Sequence, residues 1–462
     1  MGKQNDPTSS IQQMNIRRNS LWNVAEVALT ALVQFLILRL IIQGASISAL
    51  GVWSLVFSAL SLARIADVGV AASLVRYIAR PAEETPIKLS ALHYIETAIL
   101  TTVALYLVLG ILIYAPTHYA LSWSLKGDLL VKARGLLPYA IASFVLTNVA
   151  NVVLSALIGL KRSDIKSILV ICTLALQLAI SWFSIAPFGL VGLACAVIVQ
   201  NVFILTFGWI LLFQLMPGER LRLPCQFHTL AFREMFGFGA RLQLLTIVNF
   251  LYDPFTKFVF SAVMGPSALG LYEAAYRLVI QARAIVAAPA QNLTPMFAAI
   301  SSGDTAAQFH LYRTATVLMV LASALDSLAL VAISPIVSLL LLKQIKLLYI
   351  ALVTILCLGW SINISSIPSY LMGVGRGYLK WNTIGSASAT LLSVLLAYIL
   401  GSLYGIVGAV IAASAATAIG SIITMMGNRY AMGLGASLPT RHDFHDALTK
   451  LKNDLSAMLI RR

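Results

Sequence analysis

Charged side chains are rare in this chain, and those that interrupt its apolar stretches are the residues best placed to do chemistry. The basic ones are Arg39, Arg64, Arg241, Lys257, Arg277 and Arg283; the acidic ones are Glu26, Asp67, Glu96, Asp253, Glu273 and Asp326. An ionised group at the centre of a bilayer-spanning helix costs roughly 2.5–3.5 kcal/mol on insertion scales, so each needs a partner or a task. Arg64 and Asp67 lie at i, i+3, while Asp253–Lys257 and Glu273–Arg277 lie at i, i+4. These spacings put both groups on one helical face, and both mutual neutralisation and a transport role fit such pairs. Arg241 and Arg283 have no acidic residue three or four positions away on either side. Arg283 falls at the middle of its apolar stretch and Arg241 roughly 9 Å inward of the middle of its own. A structural counter-charge for them must come from another helix, with Asp326 and Glu26 as candidates.

A second group is polar without being basic. Asn23, Glu26, Thr30 and Gln34 form one stripe along the first apolar helix. Such a stripe lines a cavity or packs on another helix through hydrogen bonds. Asp253, Glu26 and Asp326 are the candidates for coupling to a proton or a sodium ion; no other cofactor and no metal site is expected. Arg39 points away from the stripe near a helix end, where snorkelling to the interface suits it. The four cysteines are scattered without disulfide or zinc spacing, and the histidines lie at span ends, in loops or in the tail.

These residues sit in a chain of 462, of which 59% are hydrophobic and 11% charged, with mean hydropathy +0.88. A soluble domain carries about 25% charged residues. Apolar stretches of about 20 residues, enough to cross a bilayer, follow one another along nearly the whole length. Gly, Pro and charge punctuation divides them into about twelve spans. Lys and Arg outside the spans fall mainly on alternate loops. One set carries Arg17, Arg18, Arg76, Arg80, Lys161, Arg162 and the basic tail; the other carries only Lys126, Lys132, Arg134, Lys343 and Lys346. This bias puts both termini on the cytoplasmic side. The net charge of +15 is mostly this topology signal, and no soluble basic module suited to nucleic acid is present.

The chain also repeats itself. SALGVWSLV begins at Ser48 and SALGLYEAA at Ser267, an offset of 219 in the numbering. LIGLKRSDIK from Leu157 matches LMGVGRGYLK from Leu371 at 214, and FGLVG from Phe188 matches YGIVG from Tyr404 at 216. The order and spacing indicate two six-span halves, 1–220 and 221–462, of the same orientation. Such halves are related by a pseudo-two-fold along the membrane normal. Gly51 and Gly270 are expected to form a tight outer turn, with the following aromatic at the membrane interface. Pro289 and Pro295 are expected to bend the eighth span.

The first hairpin, LGVWSLVFSALSLARIADVGVAASLVRYIAR, and the segment NFLYDPFTKFVFSAVMGPSALGLYEAAYRL resemble the Wzx-type polysaccharide flippases of the multidrug/oligosaccharidyl-lipid/polysaccharide exporter superfamily. The resemblance implies an all-α, two-lobe transporter of the bacterial inner membrane working by alternating access. Its cargo would be undecaprenyl-pyrophosphate-linked oligosaccharide, moved from the cytoplasmic to the periplasmic leaflet, with membrane lipids and polysaccharide assembly machinery as partners. A pyrophosphate suits guanidinium donors, which stay protonated and bind it bidentately. Cationic cavities in that family point to Arg283, Arg241, Arg277 and Lys257, with Arg18 beside Arg17 at the entrance. A multidrug antiporter of the same fold would want an acidic cavity for its cations. A membrane-embedded polymerase or ligase would want a long loop carrying acid/base groups, and the interior loops here are too short to carry them. The topology is checked by fusions: a reporter after Arg441 should be cytoplasmic and one near Gly127 periplasmic. A periplasmic C-terminus would require an odd number of spans.

Overall fold

A chain with this much apolar surface must satisfy its backbone polar groups internally, and helices do so within a single segment. The computed structural model describes residues 7–66, 70–79, 90–216, 222–300 and 304–434, and every regular element among them is helical. In order these are α1 (Pro7–Gly44), α2 (Ile47–Ser61), a 3-10 turn (Leu62–Ala66), α3 (Val70–Ala79), α4 (Ala91–Ser124), α5 (Gly127–Gly159) and α6 (Ser163–Leu215). There follow α7 (Thr229–Ala287), a 3-10 turn (Pro289–Asn292), α8 (Leu293–Ala299), α9 (Thr305–Leu342), α10 (Leu347–Gly375) and α11 (Lys380–Ala431).

Among the described residues nine helices are long and apolar enough to cross a membrane. Three of them are far too long for one crossing: α6, α7 and α11 have 53, 59 and 52 residues. At 1.5 Å per residue each would reach roughly 80 Å or more, against about 30 Å of hydrocarbon. Each is broken by one glycine with non-helical backbone: Gly189 (φ 56°, ψ −132°), Gly265 (φ 81°, ψ 170°) and Gly405 (φ 61°, ψ −148°). Counting both arms of each, the nine helices give the twelve passes expected. The chain is a multi-pass membrane protein.

The repeat is visible in the backbone, with two corrections. Positions 46 and 265 are the turn positions, at the same offset as the two SALG phrases, and both have positive φ with extended ψ (Ser46 φ 148°, ψ 169°). Ser46 accepts from the Ala49 amide at 3.1 Å, so its side chain caps α2. Gly51 and Gly270 are therefore not turn glycines. They lie buried inside helices, and the aromatics after them are core residues: Trp53 packs tilted against Phe57, ring centres 4.2 Å apart, and Tyr272 against Phe260 at 4.3 Å. The second correction concerns the loops after α5 and α10. Lys161 (φ 61°) and Gly377 (φ 71°) occupy the same left-handed position, at the offset of the FGLVG/YGIVG pair. Each loop closes with the same pair of bonds: Lys161 N to Ile158 O and Arg162 N to Leu157 O, then Gly377 N to Val374 O and Tyr378 N to Gly373 O. The identities aligned from Leu157 and Leu371, Arg162 with Arg376 included, are thus displaced by two positions from the structural match. The FGLVG/YGIVG pair holds, with Gly189 and Gly405 in the same conformation.

The chain divides into two compact units, Met1–Phe250 and Leu251–Arg462, with the division inside α7. In the first, α5 is central, packing on α2, α3, α4 and α6, while α1 packs on α6. In the second, α10 plays the same part against α8, α9 and α11. Pro254 sits just past the division and has no N–H to donate to the preceding turn of the helix. α7 ends at Ala287, and Pro289 opens the 3-10 turn that interrupts the eighth span as expected.

A Cβ at Gly189 or Gly405 would meet nothing within 4 Å, whereas one at Gly408 would lie 2.2 Å from the Leu400 carbonyl oxygen across the hairpin. Gly189→Ala and Gly405→Ala should therefore each cost about 1–3 kcal/mol, from backbone strain alone. Gly408→Ala should cost more, by steric conflict. Thermal unfolding of the purified variants in detergent checks the order.

Candidate functional site

In the second unit the two expected i, i+4 pairs both form, and the structure joins them. Asp253 and Lys257 lie before the Gly265 turn, Glu273 and Arg277 after it. The Lys257 ammonium is 2.9 Å from Asp253 Oδ2 and 2.9 Å from Glu273 Oε2. Arg277 Nε donates to Glu273 Oε1 at 2.6 Å. The ends of this chain of charges are partly exposed, Asp253 at 37% and Arg277 at 32%, while its middle is closed, Lys257 at 7% and Glu273 at 1%. The ammonium also lies 5.7 Å from the centre of the Tyr276 ring. Hydroxyl contacts anchor the segment to α11: Tyr252 with Thr417 at 2.9 Å and Thr256 with Ser393 at 2.9 Å.

Arg283 is held differently. Its Nε donates to Asn363 Oδ1 at 2.8 Å, and its guanidinium carbon lies 5.3 Å from the Trp360 ring centre. Asn363 in turn donates to Ser421 at 2.9 Å. Among the described residues Arg283 makes no ion pair, and the helix partner considered for it, Asp326, makes none either. Because α7 ends at Ala287, Arg283 stands in the last turn or so of the helix, about 27 Å along it from the Gly265 turn. It is near the end of that helix, with the 3-10 turn and α8 of the same span still to follow.

The register of the SALG phrases pairs Arg283 with Arg64, and that of the FGLVG/YGIVG pair matches Trp360 with Phe144. Arg64 lies 5.9 Å from the Phe144 ring centre and 5.8 Å from that of Phe250. Each unit thus seats an arginine of its second span on an aromatic ring of its fourth. Such cation–π contacts hold a guanidinium in place without neutralising it. Asp67, the expected partner of Arg64, lies outside the described residues.

The remaining candidates divide. Glu26 is ion-paired with Lys166 of α6, so this part of the α1 stripe is engaged in helix packing; Thr30 and Gln34 are half-buried. The side chains of Asn23, Arg18 and Arg241 lie outside those described. Arg39 is half-buried. Glu96, fully buried, receives Arg222 through two hydrogen bonds at 2.9 and 3.2 Å. No spacing rule connects residues so far apart. Asn363 and Trp360 also escaped the sequence reading, although the repeat register from Phe144 would have drawn attention to Trp360. Among the described residues no three His, Cys, Asp or Glu side chains gather as a metal site.

Residues 16–301 match the family described as polysaccharide biosynthesis protein. The chain belongs to that family. No protein of curated function matches this member in sequence. Among solved structures, a multidrug resistance MATE family transporter of the MOP superfamily, in an inward-facing conformation, superimposes with TM-score 0.75 at 15% identity. The match covers 87% of this chain and 95% of that one. The lipid II flippase MurJ, in an inward closed conformation, gives 0.70 at 13%, covering 93% and 90%. A MOP superfamily transporter from Pyrococcus furiosus, described by the reverse polarity of its binding pocket, gives 0.63 at 16%, covering 91% and 95%. At these identities the likeness is one of fold, and the fold is that of the superfamily which the first hairpin resembles.

Removing one member of a buried ion pair strands the other, at a cost of about 3–5 kcal/mol. Glu273→Gln in this family member should lose stability on that scale. Asp253→Asn, at the exposed end, should lose no more than about 1 kcal/mol. Thermal unfolding and the yield of folded protein distinguish them.

Proposed function

We propose that this member of the polysaccharide biosynthesis family is a flippase for a lipid-linked oligosaccharide. It moves an undecaprenyl-pyrophosphate carrier from the cytoplasmic to the periplasmic leaflet of a bacterial inner membrane by alternating access, with both termini in the cytoplasm. The observation that carries the reading is Arg283, a cation held by an amide and an aromatic ring rather than by a carboxylate. Asn363 and Trp360 orient the guanidinium but leave its charge uncancelled, so an anionic headgroup entering a low-dielectric region gains more than it would in water. Arg64 repeats the seat on an aromatic ring in the first unit, and Arg241 is a further cation for the same cargo. Arg277 and Lys257, both engaged with Glu273, belong to the scaffold of the site more than to its binding face. An organic-cation antiporter would be poorly served by Arg283, which repels its cargo.

Arg283→Ala should lower glycan export by roughly tenfold to a hundredfold, the equivalent of a charge-assisted hydrogen bond worth about 1.5–3 kcal/mol. Arg283→Lys should restore part of it, returning the charge without the planar fork, and Arg283→Glu should be worse than Ala. Protein level should hold in all three, because only an amide and a ring lose a partner. Normal export by well-expressed Arg283→Glu would overturn the role of this residue, and accumulation of an unrelated cargo after deletion would overturn the flippase reading.

A further inference from the structure

The charged chain in the α7 hairpin is not needed to build such a hairpin. In the register set by the turns at Ser46 and Gly265, Asp253, Lys257, Glu273 and Arg277 correspond to Gln34, Leu38, Ser54 and Ser58. The first half makes the same pair of helices around the same positive-φ turn with no charge at any of these positions. Leu38, Ser54 and Ser58 are all buried there. The second half has placed two carboxylates and two cations where uncharged side chains suffice for packing.

Lys257 is the member that defines the arrangement. Arg277 is ion-paired with Glu273, while the ammonium stands between both carboxylates at equal distance, 2.9 Å from each. An ammonium is a compact point charge on a flexible stem, close in charge and coordination needs to a small monovalent cation, whereas a guanidinium is a flat, extended fork. Without Lys257 these four residues would set two carboxylates against one guanidinium, one carboxylate closed and the other open to its surroundings at 37%. A buried carboxylate in that state must recruit a cation or a proton.

We infer that Lys257 is a tethered cation, its ammonium holding the place between Asp253 and Glu273 that a diffusible sodium ion would otherwise fill. The second unit therefore completes its cycle without binding sodium at this position, and Asp253 is not a sodium ligand in the native protein. Replacing Lys257 by a short neutral side chain opens a site for a small monovalent cation made of Asp253 Oδ2 and Glu273 Oε2. The inference concerns the α7 hairpin alone and holds whatever cargo the protein carries.

The test uses the full-length protein in detergent, with sodium chloride exchanged for choline chloride at constant ionic strength. Thermal unfolding of wild type should be the same in both salts, and so should that of Lys257→Arg, which keeps the charge. Lys257→Ala should unfold at a lower temperature in choline and regain about 2 °C or more in sodium. Asp253→Asn added to Lys257→Ala should abolish that response by restoring charge balance. A folded Lys257→Ala protein indifferent to sodium would overturn the inference. Wild type supplies an arm that needs no variant to fold. Saturable binding of radiolabelled sodium that Asp253→Asn removes would overturn the tethered cation, and its absence supports it. None of these readouts depends on glycan export, so the inference and the flippase proposal can fail separately.

Discussion

A charge taken into hydrocarbon must find its compensation within the protein, since no water is there to supply it. The described ion pairs follow that rule. Glu96 takes both hydrogen bonds of the Arg222 fork, Glu26 takes Lys166, and Glu273 takes Lys257 and Arg277 together. Each closed carboxylate has a cation against it. Arg283 is the departure: a half-buried guanidinium supported by Asn363 and Trp360, groups that orient it without cancelling it. The closed acids are thus paired with cations, whereas this arginine is held by neutral partners.

The same constraint acts on the backbone. Long helices satisfy their own hydrogen bonds, and the chain can reverse only where a residue tolerates an unusual conformation at low cost. Gly189, Gly265 and Gly405 supply that tolerance at three of the reversals. At another, Ser46 combines positive φ with a side chain that caps the next helix. Because the turn fixes how two arms meet, the faces between them can change chemistry without changing the fold. The α1–α2 hairpin keeps Gln34, Leu38, Ser54 and Ser58 where the α7 hairpin has a line of four charges. The two halves therefore share a frame and differ in its electrostatics. The arginine-on-aromatic seat, by contrast, was kept in both, with Phe144 exchanged for Trp360.

Much of this was legible in one dimension. Apolar length determined that the chain is helical and crosses the membrane about twelve times, because unbroken apolar segments of that length satisfy their backbone in hydrocarbon only as helices. The recurrence of SALG and of FGLVG/YGIVG determined that the spans come in two sets. Spacings of four positions determined the Asp253–Lys257 and Glu273–Arg277 pairs, since helical geometry alone brings such residues together. Each of these depends on local backbone geometry, which the chain carries with it wherever it goes.

Tertiary structure decided what depends on contact between helices. It placed the turn at Ser46 and Gly265 rather than at Gly51 and Gly270, and it moved the second repeat match by two positions, because backbone conformation rather than residue identity fixes equivalence. It joined Lys257 to Glu273 across a hairpin, gave Glu96 an arginine from a distant loop, and set Arg283 against Asn363 and Trp360. No periodicity reports such partners. Apolar faces of similar composition can pack in many registers, and the one adopted is chosen by side-chain shape across the interface, which a linear sequence does not display.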